Sequence, residues 1–388
     1  MFLKKVMERN PELLRFAMKL HKDGDILPDT YVLDLDAIVN NAKEMKKAAE
    51  ENGVRLYFML KQIGRNPLIA QKLMEVGFDG AVCVDYKEAL LMIENGIHIA
   101  NVGHLEQIPY AAMDRIIAAA PDYVTVYSKE IIAKIDETAK KYGLLQKLLI
   151  RLSDDDSKLY SGQVGGFHSR ELNDLFDWIE GLENVKVGGL TVFPAFLYDE
   201  KENTILPTDN MNAMERGRKI AWEYGLKDLN INLPSANCTA SIPLIASCGG
   251  TSGEPGHGLT GTTPLHKYNN EPEIPAYVYV SEISHNYEGK SFCYGGGHYR
   301  RGHMENVLVG NDLESAVMKK ICAPADDSID YHFEIENGSN VGDCALMAFR
   351  TQIFTTRSAV AVVSGIHEGE GKLLGLYTSL GEPMRKNW

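Results

Sequence analysis

A lysine that ends an apolar strand is the first residue of this sequence that could do chemistry. The segment LYFMLK predicts a strand from Leu56 to Lys61, with an amine at its last position. Apolar surroundings disfavour an ammonium ion, so they lower the pKa of an amine and make it a nucleophile toward aldehydes. The alternative is a lysine whose stem lies along apolar surface while its charged end reaches solvent or a carboxylate.

A glycine-rich run is the second such feature. It reads SCGGTSGEPGHGLTGTTP and spans residues 247–264. Glycines leave backbone N–H groups uncovered, as phosphate-binding loops require. A flexible linker is the alternative, and no lysine of the P-loop type follows the glycines.

Eight strand-like segments predict the elements that position these residues. They are YVLDLD, LYFMLK, GAVCV, IANVG, YVTVYS, KLLIRLS, GGLTVF and LNINLPS, and segments with helical period separate nearly all of them. Short apolar strands that alternate with helices need both faces covered, which indicates a parallel sheet. Eight units in about 210 residues predict an α/β fold with a closed (β/α)8 TIM-like barrel. An open doubly wound sheet is the alternative.

The pattern of apolar residues in the sequence changes after about residue 266. Strand-like runs broken by Gly and Asn follow, with little helical period, and they predict a C-terminal β domain. We therefore expect an N-terminal helical segment at residues 1–27, containing the amphipathic helix NPELLRFAMKLHKDG, a barrel at 28–266 and a β domain at 267–388.

Charge and composition exclude several classes of function. The chain has 388 residues and a formal net charge of -13, which argues against nucleic acid or an anionic membrane as the main partner. No apolar run approaches the roughly 18 to 20 residues that span a bilayer, and no signal-peptide core is present, so we expect a cytoplasmic protein. The six cysteines include no C-x-x-C pair, which favours free buried thiols over disulfides or a zinc site.

The predicted barrel brings the lysine and the glycine-rich run together. In such barrels the chemistry takes place at the carboxyl ends of the strands, and phosphate often binds in the loops after the last two strands. Lys61 ends the second predicted strand, and the run at 247–264 follows the eighth. An aldehyde-reactive lysine and a phosphate cradle at one barrel mouth indicate pyridoxal 5'-phosphate as the cofactor.

Residues 30–97, from TYVLDLD to MIENGI, resemble the opening of the alanine racemase and ornithine decarboxylase superfamily of pyridoxal phosphate enzymes. SGQVGGF, GGLTVFP, NLPSANCTA and EPGHGLTG follow in the order that the family has, so the resemblance covers most of residues 30–265. It implies a barrel followed by a β domain, with Lys61 as the Schiff-base lysine and a proton carrier. The phosphate or ring contacts that it implies are Arg65, Ser235, Asn237, Gly256 and His257.

Three positions depart from the racemase pattern. Glu254 stands where racemases generally carry arginine, and the decarboxylase branch has glutamate there; a glutamate keeps the ring nitrogen of the cofactor protonated. A solvated loop acid is the alternative. SGQVGGF lacks the racemase arginine that contacts the phenolic oxygen, for which Gln163 is the substitute. Phe193 replaces a histidine that stacks on the ring, and a plain core residue is the alternative.

The β domain is expected to complete the site, across a homodimer interface as in the family. FCYGGG resembles the segment around the racemase catalytic tyrosine, so Tyr294 is the candidate for the opposite-face acid or base, with Arg300 and Arg301 close in sequence. A tyrosine packed in a strand is the alternative. Asp326 and Asp327, in PADDSIDYHFE, stand where decarboxylases contact substrate, and capping a turn is their alternative.

The resemblance therefore predicts an amino-acid racemase that abstracts the α-proton of its substrate. A decarboxylase or D-amino-acid aldolase on the same cofactor site is the first alternative, which Glu254 favours and FCYGGG opposes. A pyridoxal phosphate-binding regulator without turnover is the second, which the predicted β domain opposes. No metal site is predicted, because His298, His303 and Cys293 lack a ligand spacing.

Overall fold

The computed structural model describes all 388 residues, and packing divides them into two compact units. The barrel unit comprises residues 43–60 and 70–256. The β unit comprises residues 1–42, 61–69 and 257–388. The two units thus interleave along the chain, whereas the domains predicted from the sequence are consecutive.

The structure contains eleven α-helices, twenty strands and four short 3₁₀ turns. The helices are α1 (Leu3–Arg9), α2 (Pro11–Lys22), α3 (Leu35–Asn52), α4 (Pro67–Val76), α5 (Tyr86–Glu94), α6 (Tyr110–Ala118), α7 (Lys129–Tyr142), α8 (Leu172–Glu180), α9 (Asn210–Tyr224), α10 (Ile242–Ser247) and α11 (Pro264–Tyr268). The strands are β1 (Thr30–Asp34), β2 (Arg55–Leu56), β3 (Phe58–Met59), β4 (Ala81–Cys83), β5 (Ile99–Val102), β6 (Tyr123–Val126), β7 (Gln146–Arg151), β8 (Val185–Thr191), β9 (Phe196–Asp199), β10 (Thr204–Pro207), β11 (Asn230–Asn232), β12 (Ser252–Gly253), β13 (Tyr277–Tyr287), β14 (Lys290–Tyr294), β15 (Asn306–Val309), β16 (Val317–Cys322), β17 (His332–Ile335), β18 (Cys344–Met347), β19 (Ala359–Ser364) and β20 (Lys372–Thr378). The 3₁₀ turns are Lys61–Ile63, Ser169–Glu171, Thr239–Ser241 and Ile353–Thr355.

The barrel unit contains a parallel sheet in the order β2, β12, β11, β8, β7, β6, β5, β4, β3. Only Tyr57 separates β2 from β3, so these two pieces form one strand and the sheet closes on itself. Strands such as β5 and β6 are buried along their whole length, because helices cover the outside of a parallel barrel and side chains fill its inside. The predicted (β/α)8 barrel is confirmed.

Two strands differ from the prediction. YVLDLD, predicted as the first barrel strand, forms β1 in the β unit, where it pairs with β13 and β19. The barrel strand missing from the prediction is β12, which lies inside the glycine-rich run and pairs with β11 and β2. An apolar run of this length suits the interior of either sheet, so its pattern does not identify its partners. β12 consists of Ser252 and Gly253, which have no apolar side chains, so the hydrophobic pattern does not predict it.

The β unit contains a mixed sheet in the order β14, β17, β16, β15, β18, β13, β1, β19, β20. Because β13 also pairs with β14, six of these strands close into an antiparallel barrel, which confirms the predicted C-terminal β domain. The predicted N-terminal amphipathic helix is α2, whose first turn is capped by Asn10 Oδ1, accepting from the Leu13 N–H at 3.3 Å. Its apolar face packs on Val278 and Val280 of β13. None of the helices is both long and apolar enough to cross a membrane.

Candidate active site

Lys61 opens a tight turn between β3 and α4. It follows Leu60 directly and begins the 3₁₀ turn Lys61–Ile63. Gly64 then takes a φ of 71° and packs so closely that a Cβ there would lie 3.0 Å from Val360 Cγ2. Asn66 Oδ1 accepts from the Ile69 N–H at 3.1 Å and so caps α4. The close packing of Gly64 and the cap at Asn66 thus fix the backbone that follows Lys61.

Arg65 and His257 lie in the same unit as Lys61. Arg65 is 3% exposed, and its guanidinium lies 4.9 Å from the centre of the Phe354 ring. The Nε of Arg350 donates to His257 Nε2 at 3.3 Å, so that nitrogen is an acceptor and the imidazole is neutral. Gly256, the residue before His257, is buried.

The surroundings of His257 are positively charged. Burial lowers the pKa of His257 well below its usual range, and Arg350, Lys61, His266 and Arg301 lower it further by repulsion. Two of these neighbours, Arg350 and Arg301, are guanidinium groups. A set of cationic donors beside a glycine-rich segment fits the phosphate group of pyridoxal phosphate.

Glu254 is a buried acid that directly follows β12 in the barrel unit. It is 3% exposed, and its Oε1 accepts from Asn101 Nδ2 at 3.0 Å. Asn101 Oδ1 accepts in turn from Thr125 Oγ1 at 2.8 Å. The alternative interpretation of Glu254 as a solvated loop acid is therefore wrong. A buried carboxylate held by hydrogen bonds is a suitable partner for a protonated ring nitrogen.

His104 is a neighbour of Glu254 that the sequence prediction missed. It is fully buried, and its Nε2 lies 3.9 Å from Glu254 Oε2. Its ring packs edge-on against Phe193, with centroids 5.0 Å apart. The sequence did contain a signal for a site residue here, because His104 lies two residues after the carboxyl end of β5.

Arg151 is a second residue that the prediction missed. It ends β7, as Lys61 ends its predicted strand, and it is 1% exposed. Its Nη2 donates to the backbone carbonyl of Gln163 at 2.7 Å, and its guanidinium lies 5.4 Å from the centre of the Tyr127 ring. Gln163, predicted as a cofactor contact, therefore lies directly against an arginine.

The loop after β11 positions Glu254. Ser235 takes a φ of 94°, and Asn237 Nδ2 donates to its carbonyl at 3.0 Å. Asn237 Oδ1 accepts from the backbone N–H of Glu254 at 2.6 Å. Asn237 thus holds both the loop and the backbone of Glu254 in place. The predicted contacts of Asn237 and Ser235 with the cofactor stay predictions. Phe193 packs against Tyr160, with centroids 5.9 Å apart, as well as against His104.

Tyr294 lies in the β unit at the end of β14. It is 39% exposed and stands opposite His332 of β17, with ring centroids 5.8 Å apart. The two predicted cationic neighbours bond elsewhere: Arg300 donates to the Asp326 carbonyl at 3.3 Å and Arg301 donates to the Tyr299 hydroxyl at 2.7 Å. The structure thus places an imidazole beside Tyr294 that the sequence prediction missed.

Asp326 and Asp327 lie on an exposed turn of the β unit, where the Ser328 N–H donates to the Ala325 carbonyl. Their predicted contact with substrate stays a prediction. His298 packs against Phe333, and no group of three or more His, Cys, Asp or Glu side chains is placed to hold a metal ion.

Two family models match the chain. The model described as alanine racemase, N-terminal domain, matches residues 33–264, and the model described as YhfX-like, C-terminal domain, matches residues 278–373. A protein of Escherichia coli (strain K12), described as uncharacterized protein YhfX, is 40% identical over 385 residues, which are 99% of this chain and 100% of the relative.

Solved structures with three different activities share the fold. Alanine racemase of Clostridium difficile 630 in complex with cycloserine has a TM-score of 0.66 at 16% identity, over 91% of this chain and 99% of that one. Diaminopimelate decarboxylase of M. jannaschii has a TM-score of 0.68 at 15% identity, over 94% and 93%. D-threonine aldolase of Filomicrobium marinum has a TM-score of 0.65 at 15% identity, over 91% and 94%. Identities this low establish the fold alone.

Proposed function

The chain belongs to the family defined by the N-terminal domain of alanine racemase, and from this premise we propose that it is an amino-acid racemase. The family depends on pyridoxal phosphate, so the family and the cofactor predicted from the sequence are confirmed. The reaction is a proposal, because racemase, aldolase and decarboxylase structures all resemble this chain.

The main observation behind the proposal is the placement of Tyr294. A racemase needs groups that hold a proton on opposite faces of the substrate α-carbon. Lys61 is one such group, and Tyr294 is a phenol at a strand end that keeps 39% of its surface exposed. By contrast, Tyr277 and Tyr279 of the neighbouring β13 are buried.

The residues of the proposed site divide the binding and proton-transfer roles among them. Pyridoxal phosphate, when bound, supplies an electron sink for negative charge at the substrate α-carbon. Lys61 holds the cofactor aldehyde and moves a proton at Nζ, and Tyr294 holds the opposite proton at Oη. Glu254 accepts a hydrogen bond from the ring nitrogen, which its burial and its bond from Asn101 support. The proposed phosphate and ring contacts are Arg65, Gln163, Phe193, Ser235, Asn237, Gly256 and His257, and the proposed substrate contacts are Asp326 and Asp327.

A decarboxylase or D-amino-acid aldolase is the second candidate. The burial of Glu254 favours it, because a carboxylate at the ring nitrogen strengthens the electron sink. A binding protein without turnover is the third candidate. We propose further that the protein is a cytoplasmic homodimer in which a neighbouring subunit completes the site.

The test is incubation of the purified holoenzyme with a panel of L- and D-amino acids in deuterium oxide. We expect deuterium to enter at the α-carbon while optical rotation is lost. Release of carbon dioxide or of an aldehyde would instead identify a decarboxylase or an aldolase. Bound cofactor with no reaction on any amino acid would favour the binding protein.

A further inference from the structure

Three consecutive glycines follow Tyr294 and form a closely packed segment, residues 295–297, which we call the triglycine segment. A Cβ at the first glycine would collide with the carbonyl oxygen of Asp330, one at the second with Asp29 Oδ2, and one at the third with the ring of Tyr279. The second glycine also takes a φ of 129°, which side chains disfavour. The neighbours of the triglycine segment therefore occupy the space that side chains would need.

Hydrogen bonds hold the same stretch of backbone. The N–H of the first glycine donates to the Tyr331 carbonyl at 2.8 Å, and the carbonyl of the third accepts from the Tyr31 hydroxyl at 2.6 Å. The carbonyl of Tyr294 accepts from Ser281 Oγ at 2.7 Å. The backbone is thus fixed from Tyr294 to the end of the triglycine segment.

Two carboxyl groups lie against the triglycine segment. Asp29 comes directly before β1, and its Oδ2 packs on Gly296. Asp330 lies two residues before β17. Burial raises the pKa of Asp330, and the guanidinium of Arg357 opposes this shift. The backbone N–H groups of Gly296 and His298 oppose it further, so the Asp330 carboxyl lies beside them.

Arg357 joins the two acids. Its Nε lies 3.9 Å from Asp29 Oδ2, and its Nη2 donates to the Asp330 carbonyl at 2.7 Å. Asp29 Oδ1 accepts from the Tyr279 hydroxyl at 2.9 Å and from Ser358 Oγ. Burial raises the pKa of Asp29 to about 6, while these bonds and the guanidinium oppose the shift. Near pH 7 Asp29 is therefore a carboxylate held by three neighbours.

The direction of the Tyr294 phenol depends on this backbone. The side chain is 39% exposed, and the ring beside it is that of His332, with centroids 5.8 Å apart. Packing therefore contacts only part of the Tyr294 ring, and the backbone must do more to orient it. Proton transfer needs accurate placement, since a shift of about 1 Å can cost about 10²-fold in rate.

We propose that Asp29 and Asp330, joined by Arg357, are positioning residues that hold the triglycine segment in the conformation that aims Tyr294 at the substrate. We call these three residues the carboxylate clamp. The proposal rests on the proposed function and adds residues that act through Tyr294 and contact neither cofactor nor substrate.

Ionisation of Asp29 provides a way to loosen the carboxylate clamp. The charged and titratable groups that face Asp29 are Arg357, Asp330, Tyr31 and Tyr279. Burial raises the pKa of both phenols well above their usual range, so they stay neutral. Protonation of Asp29 removes its attraction to Arg357, so the surroundings of Tyr294 should change near pH 6.

The test follows Tyr294 by NMR in holoenzyme that carries ¹³C at Cζ of tyrosine. Tyr294→Phe identifies the signal by its loss, and the signal is then recorded between about pH 5 and 7, around the pKa of Asp29. The variants are Asp29→Asn, which keeps the shape of the side chain, and Asp29→Ala. The matched control is Asp25→Asn, at an exposed aspartate of the same unit 2.9 Å from Lys386. His332→Gln removes the imidazole beside the phenol.

In the wild type we expect the Tyr294 signal to shift with an inflection near pH 6. Asp29→Asn should lose this inflection, whereas Asp25→Asn and His332→Gln should keep it. Near pH 7 the racemisation kcat of Asp29→Ala should fall about tenfold to a hundredfold with KM unchanged, and Asp29→Asn should lie between Asp29→Ala and the wild type.

An inflection that persists in Asp29→Asn, or one that is absent from the wild type, overturns the proposal. Loss of the inflection in His332→Gln alone overturns it too, because the histidine would then be the titrating group. Should Asp29→Ala fail to fold, Asp29→Asn decides. The NMR signal needs no turnover, so an inflection that depends on Asp29 in a protein that racemises no amino acid would refute the proposed reaction and retain the carboxylate clamp.

Discussion

In the barrel unit three buried polar side chains form a chain of side-chain hydrogen bonds, whereas in the β unit the buried Tyr31 and Tyr277 donate to backbone carbonyls. The barrel chain runs from Thr125 through Asn101 to Glu254, with distances of 2.8 and 3.0 Å. Each of these residues lies on a different barrel strand or directly after one. The parallel barrel thus brings side chains that are far apart in sequence into a single network.

The tyrosines of the β unit are used differently. Tyr31 donates to the Gly297 carbonyl at 2.6 Å, and Tyr277 donates to the Phe349 carbonyl. Burial raises the pKa of both phenols, so both stay neutral donors. Tyr294, at 39% exposed, differs from these two buried tyrosines.

This difference separates residues for chemistry from residues for stability. A side chain in the barrel network is held in place by hydrogen bonds from other side chains. A buried tyrosine of the β unit, such as Tyr31 or Tyr277, uses its hydroxyl to satisfy a backbone carbonyl and so contributes to stability. Substitutions in the first group should therefore change activity, and substitutions in the second should change the free energy of unfolding.

Lys61→Ala should have the largest effect. Because Lys61 is both the proposed attachment point and a proton carrier, we expect activity to fall about 10⁴-fold or more. Borohydride treatment of the wild type should fix the cofactor to Lys61, as mass spectrometry can show, and the variant should lose its chromophore on the same treatment. Lys72→Ala, at an exposed lysine paired with Glu75, is the control. A fixed adduct in Lys61→Ala would refute the role of this lysine.

Tyr294→Phe tests the partly exposed tyrosine at the end of β14. Removal of the phenolic proton carrier should slow racemisation about 10³-fold, while the free energy of unfolding changes by less than about 0.5 kcal/mol. Rates measured from the L- and D-substrates with α-deuterium should show unequal isotope effects, because one face loses its acid or base. Tyr287→Phe, at a tyrosine that is 63% exposed, should behave as the wild type. Equal activity of both variants would contradict the proposed racemase mechanism.

Glu254→Gln weakens the barrel network without changing its shape. We expect a loss of about 10²-fold in activity, since a neutral amide no longer keeps the ring nitrogen protonated. Absorbance titration of the cofactor should report the change directly. Glu137→Gln, at a side chain that is 61% exposed, is the matched control. Unaltered absorbance and rate would place Glu254 outside the cofactor site.

Most of the barrel could be predicted from the sequence, because its strands are apolar and alternate with helices. β1 was assigned to the wrong sheet because strand pairing depends on contacts far along the chain, such as Thr30 with Ala359. β12 was missed because Ser252 and Gly253 have no apolar period. Gly253 packs closely there, since a Cβ would lie 2.7 Å from Ile245 Cδ1 and that side chain would have to shift.

The site was predicted where a motif marked it and missed where only geometry does. Lys61 and Glu254 lie in recognisable segments. His104 and Arg151 also follow or end barrel strands, but a polar residue at a strand end has the same pattern whether it faces solvent or the barrel interior. Their carbonyl and side-chain contacts appear only once β5, β6 and β7 are side by side.

Tyr277→Phe should have the smallest effect and should leave activity unchanged. It removes the donor of the buried Phe349 carbonyl, so we expect the free energy of unfolding to fall by about 1 to 2 kcal/mol. Urea unfolding near pH 7 measures this change. Tyr142→Phe, at a tyrosine that is 45% exposed, is the control and should unfold as the wild type does.

The pH dependence of the same variant tests why the phenol stays neutral. Burial raises the pKa of Tyr277 in the folded protein, whereas the pKa of a tyrosine in the unfolded chain is about 10. Its contribution to stability is therefore complete below about pH 10 and is lost as the pH rises, because the unfolded state releases its proton first. Tyr277→Phe lacks this contribution, so its free energy of unfolding should decline less steeply than that of the wild type between about pH 10 and 11. Parallel declines would mean that Tyr277 ionises as readily in the folded protein as in the unfolded chain, and the contrast between barrel side chains and β-unit tyrosines would lose its basis.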